Sequence, residues 1–369
     1  MKLKETKRSS SPMSTENSKT FRSGEPVLFR IFRRFLSTIR VLLWAAAGAW
    51  GTFAIYYSNL PSGSMRLTLA VGFAAFGIWA FLIKRTPKVR LVYAGILLGV
   101  LAWFIAIPPK MSREWRKEVA IMPRAVINGD KVTLTGFRNF EYQSRDHFTE
   151  HYEERIVSLD DLTSVDLFIS YWSVGPIGHT FLSFNFDNAP PVCISIETRP
   201  EVGEGFSPIA SAFKEYELFY AVGDERDLVG VRTNHRNEEV YLYRMNLPPE
   251  AVRRLFLVYL ERINELADRA EWYYLFRQNC TLNIVRYKNA AGREGSFDIR
   301  HLLNGWIDRY FYETEMVDTS MPFEELRKTS KINEAAKSAD PSLDAMEFSR
   351  RIREGLPGHG KQSVEPIKK

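Results

Sequence analysis

The sequence predicts an α+β protein: three N-terminal transmembrane helices, then a domain of antiparallel strands with packed helices. Three observations predict it. Residues 41–57, 67–83 and 91–108 are uncharged apolar runs joined by short links. Beyond residue 108 the apolar runs give way to period-two alternation and turn residues, the signature of strands. Residues 248–266 then carry apolar side chains at helical spacing behind a proline start.

Each apolar run is about 17 residues, the short end of what crosses a bilayer of roughly 30 Å. Before the first run the chain is polar and rich in Ser, Lys and Thr, a disordered tail rather than a signal peptide. The net charge of +6 conceals a division. Residues 1–107 hold 15 Lys and Arg against 3 Glu and no Asp, a net +12, and the remainder is −6. Basicity therefore belongs to the membrane third, and a nucleic-acid surface is not expected. Arg30, Arg33, Arg34 and Arg40 precede the first run, and Lys84, Arg85, Lys88 and Arg90 occupy the second link. By the positive-inside rule these lie in the cytoplasm, so everything after residue 108 is translocated, into the periplasm of a Gram-negative cell. The expected division is a cytoplasmic tail over 1–37, a membrane region over 38–108, a periplasmic catalytic domain over 109–357 and a disordered tail over 358–369.

In the translocated part, Asn128 and Gly129 mark a turn between short strands. Residues 154–170 lead through a turn into another strand. Residues 209–219 read as helical, and 229–233 and 239–243 as strands. Before these runs the stretch 168–186, followed after the Asp187 to Pro190 turn by 191–197, which reads as a hairpin. Pairing Asp187 with Pro191 puts Thr180, Leu182, Phe184, Phe186, Val192, Ile194 and Ile196 on one apolar face. The other face carries His179, Phe181, Ser183, Asn185, Cys193, Ser195 and Glu197. That register sets His179 opposite Arg199, with Glu197 on the diagonal.

Two cysteines are too few for a disulfide framework. Asn279 is a good N-cap and would make Cys280 the first residue of a helix. A thiol there lies in the positive end of the helix dipole, which favours the thiolate. His179 would take its proton and Glu197 or another polar group would fix the ring, so Cys280, His179 and Glu197 are the expected catalytic residues. Asn279, Tyr171, Trp172, Ser195, Arg199 and Arg232 are expected around the substrate. For Arg199, Arg226, Arg232 and Arg244, ordinary pairing with Glu197, Glu201, Glu204, Asp224 and Glu225 is the competing reading. Cys193, on a strand, gains no dipole and is expected to be a pocket wall. No C-x-x-C or H-E-x-x-H spacing exists, so no metal and no cofactor is expected. His147 and His151 read as solvated surface, and His235, His301 and His359 show no partner in sequence.

Three stretches together resemble the Lnb N-terminal periplasmic domain family: residues 170–184 with the Gly178-His179 pair, Ser195 to Arg199, and Asn279-Cys280-Thr281-Leu282-Asn283. Tyr216 to Leu218 and Asp224-Glu225-Arg226-Asp227 extend the likeness over roughly 155–290, with a weaker echo at 348–357. The resemblance implies a permuted papain-like thiol fold, related to NlpC/P60 enzymes, in which the histidine precedes the cysteine. It also implies lipoprotein N-acyltransferase-like chemistry, with Cys280 taking an acyl group from a membrane lipid and passing it to an amine, such as that of a lipoprotein. Leu282 departs from the family motif, which usually has a second Thr there. The expectation is thus an inner-membrane thiol acyltransferase. The alternatives are a cysteine amidase or peptidase acting on cell-wall peptides, and a non-catalytic envelope-binding module.

Overall fold

A computed structural model describes residues 27–172, 175, 177–274, 298, 300, 304–339 and 344–359. Helix α1 (Val27–Tyr56), helix α2 (Gly63–Ile78), which continues through a wider turn at Trp79–Lys84, and helix α3 (Pro87–Ala106) are each long and apolar enough to cross a membrane. Their outer surfaces carry bare side chains such as Val71, Ile83 and Leu91, which suits lipid and not water. They pack closely where small residues allow it: a Cβ on Gly51 would stand 2.8 Å from the Phe73 ring. Helix α1 starts well before the apolar run, because Arg30, Arg33 and Arg34 extend the helix without needing to be buried.

The domain is built on one sheet. Its strands are β1 (Arg124–Asn128), β2 (Lys131–Arg138), β5 (Tyr152–Ser158), β6 (Leu162–Tyr171), β7 (His179–Phe186), β8 (Val192–Arg199), β9 (Glu217–Gly223) and β10 (Glu239–Arg244). Two short strands, β3 (Glu141–Tyr142) and β4 (Phe148–Thr149), pair apart from it. The order is β1-β2-β9-β8-β7-β6-β10, with β5 also on β2. All pairings are antiparallel except the contact of β2 with β9 at Arg138 and Gly223. There the backbones are so close that a Cβ on Gly223 would lie 2.6 Å from the Arg138 carbonyl oxygen.

Both faces of the sheet are covered. Helix α5 (Pro249–Asp268) lays Val252, Leu255, Phe256, Tyr259, Leu260, Ile263 and Leu266 against Leu182, Phe184, Ile194 and Tyr220. Every position of the expected stripe is buried. At about 1.5–3 kcal/mol for each large apolar side chain removed from water, this stripe is a main source of the domain's stability. On the opposite face, Phe168, Phe181, Cys193, Phe219 and Leu242 pack under Val229, Ile332, Phe348 and Ile352.

The hairpin's two faces are those expected, but its register is not. Phe181 pairs with Ser195 and Leu182 with Ile194, two residues from the expected alignment. Continued outward, this sets His179 opposite Glu197 and not Arg199. A shift of two leaves every side chain on its face, so the period could not reveal it. Two helix and strand assignments also fail. Residues 209–219 form only a short turn at Ala210–Ala212 before β9, because β9 is buried on both faces and its run has no alternation to mark it. Residues 229–233 belong to helical turns, helix α4 (Glu225–Leu228) and the wider turn Val231–His235, and not to a strand. The first hairpin turns at Gly129 and Asp130, one residue later than expected, with Gly129 at φ 65°.

The domain is seated on the ends of α1 and α3. Phe213 stacks on Tyr57 at 5.8 Å and meets Phe104 edge-on. The ammonium of Lys214 donates to the carbonyls of Phe104, Ile105 and Ile107 at 2.8, 2.9 and 3.0 Å, capping the C-terminal end of α3. Trp272 donates from its indole to the Ile107 carbonyl.

Candidate functional site

One polar cluster occupies the end of the sheet face where β6, β7 and β8 end together. Ser170 pairs with His179, so those two side chains share that face. On β8, Ser195 and Glu197 are two apart and therefore point the same way. The Ser195 hydroxyl lies 2.7 Å from His179 Nε2 and donates to Glu197 Oε1 at 2.7 Å. A hydroxyl has one proton to give. With it on the carboxylate, the imidazole must donate from Nε2, which leaves Nδ1 as the basic nitrogen of a neutral ring. Glu197 Oε1 is itself 3.3 Å from Nε2.

Two further elements complete the cluster. The Val231–His235 turn delivers Arg232, whose Nη2 donates to Glu197 Oε1 at 2.6 Å and whose guanidinium lies 4.9 Å from the centre of the Phe181 ring. The residue before β10, Glu238, accepts from the Ser170 hydroxyl and lies 3.8 Å from Arg232 Nε. Burial alone would push the Glu197 carboxyl up. His179 and Arg232, with the Ser195 hydroxyl, outweigh it and hold that carboxyl well below the usual range. Arg232 is 4% exposed while His179 and Glu197 keep 17% and 26% of their side-chain surface, so the imidazole and the carboxylate both reach the surface and the guanidinium does not.

Cys280 and Asn279 lie outside the described residues, as does His301. The other expected residues divide. Ser195 and Arg232 sit with His179 and Glu197. Tyr171 is buried on the far side, donating to the Gly305 carbonyl. Trp172 is exposed just past the end of β6, its ring 6.3 Å from that of Phe206. Arg199 is engaged elsewhere: it donates to the carbonyls of Val119 and Ala120 and covers the Trp115 ring at 4.3 Å. Cys193 is fully buried, and burial, with Glu225 adding to it, pushes its thiol well up.

The acidic motif 224–227 is a structural clasp. Asp224 caps helix α4 by accepting from the Arg226 N–H. Glu225 accepts from Ser183 and Arg353, and Asp227 binds Arg138 through two nitrogens. Arg226 donates to Asn139. His359, expected to lie in the disordered tail without a partner, instead sits 3.2 Å from Asp166, which Arg244 and Arg353 also bind.

Sequence reasoning missed Glu238 and Ser170. Ser170 was findable, since it alternates with Phe168 on the His179 face. Glu238 was not, because the turn that brings Arg232 beside it reads as a strand.

The architecture is that of a mixed α+β domain behind three candidate membrane helices, with a histidine, serine, glutamate and arginine array at one sheet end. Residues 148–305 match the model of a family described as the Lnb N-terminal periplasmic domain. The match runs from β4 past β10 and α5 and contains the whole array. With the three apolar helices it describes a membrane-anchored protein with a periplasmic domain. No curated protein and no solved structure matches the chain.

Proposed function

We propose that the chain is an inner-membrane thiol acyltransferase, its N-terminus in the cytoplasm and its domain in the periplasm, with a permuted papain-like site formed by Cys280 and His179. The observation that carries this reading is the His179 array. A partly exposed imidazole whose Nε2 is tied down, backed by a carboxylate that stays ionised, is the arrangement a thiol nucleophile needs from its base. His179 would take the Cys280 proton at Nδ1. The thiolate attacks the carbonyl of a lipid acyl ester, the lipid alcohol leaves with a proton, and an acyl thioester remains. An amine then displaces the thiolate to give an amide. Glu197 stabilises the imidazolium formed in between, and Ser195 and Arg232 position Glu197. Asn279 and Trp172 remain candidate substrate contacts on this reading, and Tyr171, buried on the far side of the sheet, does not.

The test is to incubate the full-length protein in phospholipid vesicles and look by mass spectrometry for an acyl chain on Cys280 that hydroxylamine removes. Cys280→Ala and His179→Ala should each abolish it, and Cys193, being buried, should carry none. Acyl transfer by Cys280→Ala would overturn the mechanism. Release of stem peptides from purified peptidoglycan would replace it with the amidase reading.

A further inference from the structure

A set of large apolar side chains stands bare between the membrane helices and the His179 array. Trp172, Phe206 and Ile209 are 48%, 53% and 54% exposed, outside the apolar clusters that the domain buries on the two faces of its sheet. They are connected. The Trp172 ring lies 6.3 Å from Phe206, and Phe206 lies 6.4 Å from Tyr216 in near-parallel contact. Ile209 opens the short turn that ends at Phe213.

That turn fixes where the set lies relative to the membrane. Phe213 is wedged between Tyr57, just past the end of α1, and Phe104, in the last turn of α3, and Lys214 caps the carbonyls that end α3. The chain just before Phe213 is therefore held at the level where the apolar helices stop. Tryptophan and other amphipathic rings favour the headgroup layer, and a bare apolar patch beside a membrane anchor is accounted for by contact with lipid. At its other end the set reaches the site, since Trp172 follows two residues after Ser170, the strand partner of His179.

We infer that Trp172, Phe206 and Ile209 form a rim that rests in the headgroup layer of the outward-facing leaflet of the membrane holding α1–α3, setting the His179 end of the sheet against the lipid surface. This rests on reading α1–α3 as membrane spans, and it names the surface from which the site would draw a lipid substrate.

The test is spin labelling of the full-length protein in vesicles of phosphatidylethanolamine and phosphatidylglycerol, in a Cys280→Ser background with buried Cys193 retained. Labels are placed by Phe206→Cys and Ile209→Cys. Val71→Cys, exposed on the middle of α2, is the lipid reference, and Asp187→Cys, in the turn between β7 and β8, the aqueous one. Collisions with oxygen and with a water-soluble nickel chelate report depth. The expected result is an oxygen-to-nickel ratio at both rim positions at least several-fold above that at Asp187→Cys and below that at Val71→Cys. Equality with Asp187→Cys overturns the rim while leaving the acyltransferase reading standing. Shielding from both reagents means that protein covers the rim, which also overturns it. An aqueous result at Val71→Cys removes the membrane spans and the rim with them.

Discussion

His179 and Glu197 stand side by side on neighbouring strands, 3.3 Å apart at their nearest polar atoms, with the Ser195 hydroxyl touching both. The carboxylate has a second partner in Arg232, which is almost fully buried. The imidazole is thereby fixed by an ion pair, and the stability of that pair is open to measurement.

Glu197→Ala removes the shortest contact of the buried Arg232 guanidinium and leaves it Glu238 at 3.8 Å. Removing one member of a buried pair costs about 3–5 kcal/mol. Glu197→Gln keeps an acceptor for Arg232 and Ser195 and should cost clearly less. Urea unfolding of the detergent-solubilised protein measures both, and equal losses would show that the charge pairing is not what holds the cluster.

Two carboxyls make stability depend on pH in opposite directions. Burial, with Glu204 next in importance, pushes the Glu215 carboxyl up to about 7 from an ordinary 4.5. The protonated form is the one the fold favours. Its contribution is therefore full below 4.5 and is lost as pH rises towards about 7. Glu197 is held well below 4.5, so its contribution is present above that value and is lost as pH falls beneath it. Melting temperature should consequently decline on both sides. Glu215→Gln flattens the decline from about 4.5 to about 7, and Glu197→Gln flattens the acid limb. Melting curves that keep their shape in either variant contradict the assignment for that residue.

Asp227 ties the start of helix α4 to β2. It accepts from Arg138 at 2.6 and 3.2 Å and from the Phe140 N–H at 2.9 Å, with both charged side chains buried. Asp227→Ala should cost about 3–5 kcal/mol by stranding Arg138. Because α4 leads directly into the Arg232 turn, hydrogen exchange at residues 231–235 should rise with it. A loss under about 1 kcal/mol, the range of exposed ion pairs, would show that the clasp is not closed.

Local pattern determined the parts of this protein that one short window can specify. The three apolar runs, the two faces of the β7–β8 hairpin and the whole buried stripe of α5 follow from spacing alone, because period 2 and period 3.6 dictate which side chains share a surface. His179, Ser195 and Glu197 fell on one face for the same reason. Tertiary structure decided the rest. The hairpin register was settled by pairing across the whole sheet, since a shift of two costs nothing in pattern. Strand β9 was hidden because both its faces are covered. Arg232, Glu238 and His359 acquired their partners Glu197, Ser170 and Asp166 only through chain reversals that bring residues 35 to 193 positions apart into contact. Burial sets their energies, and no stretch of sequence carries that information by itself.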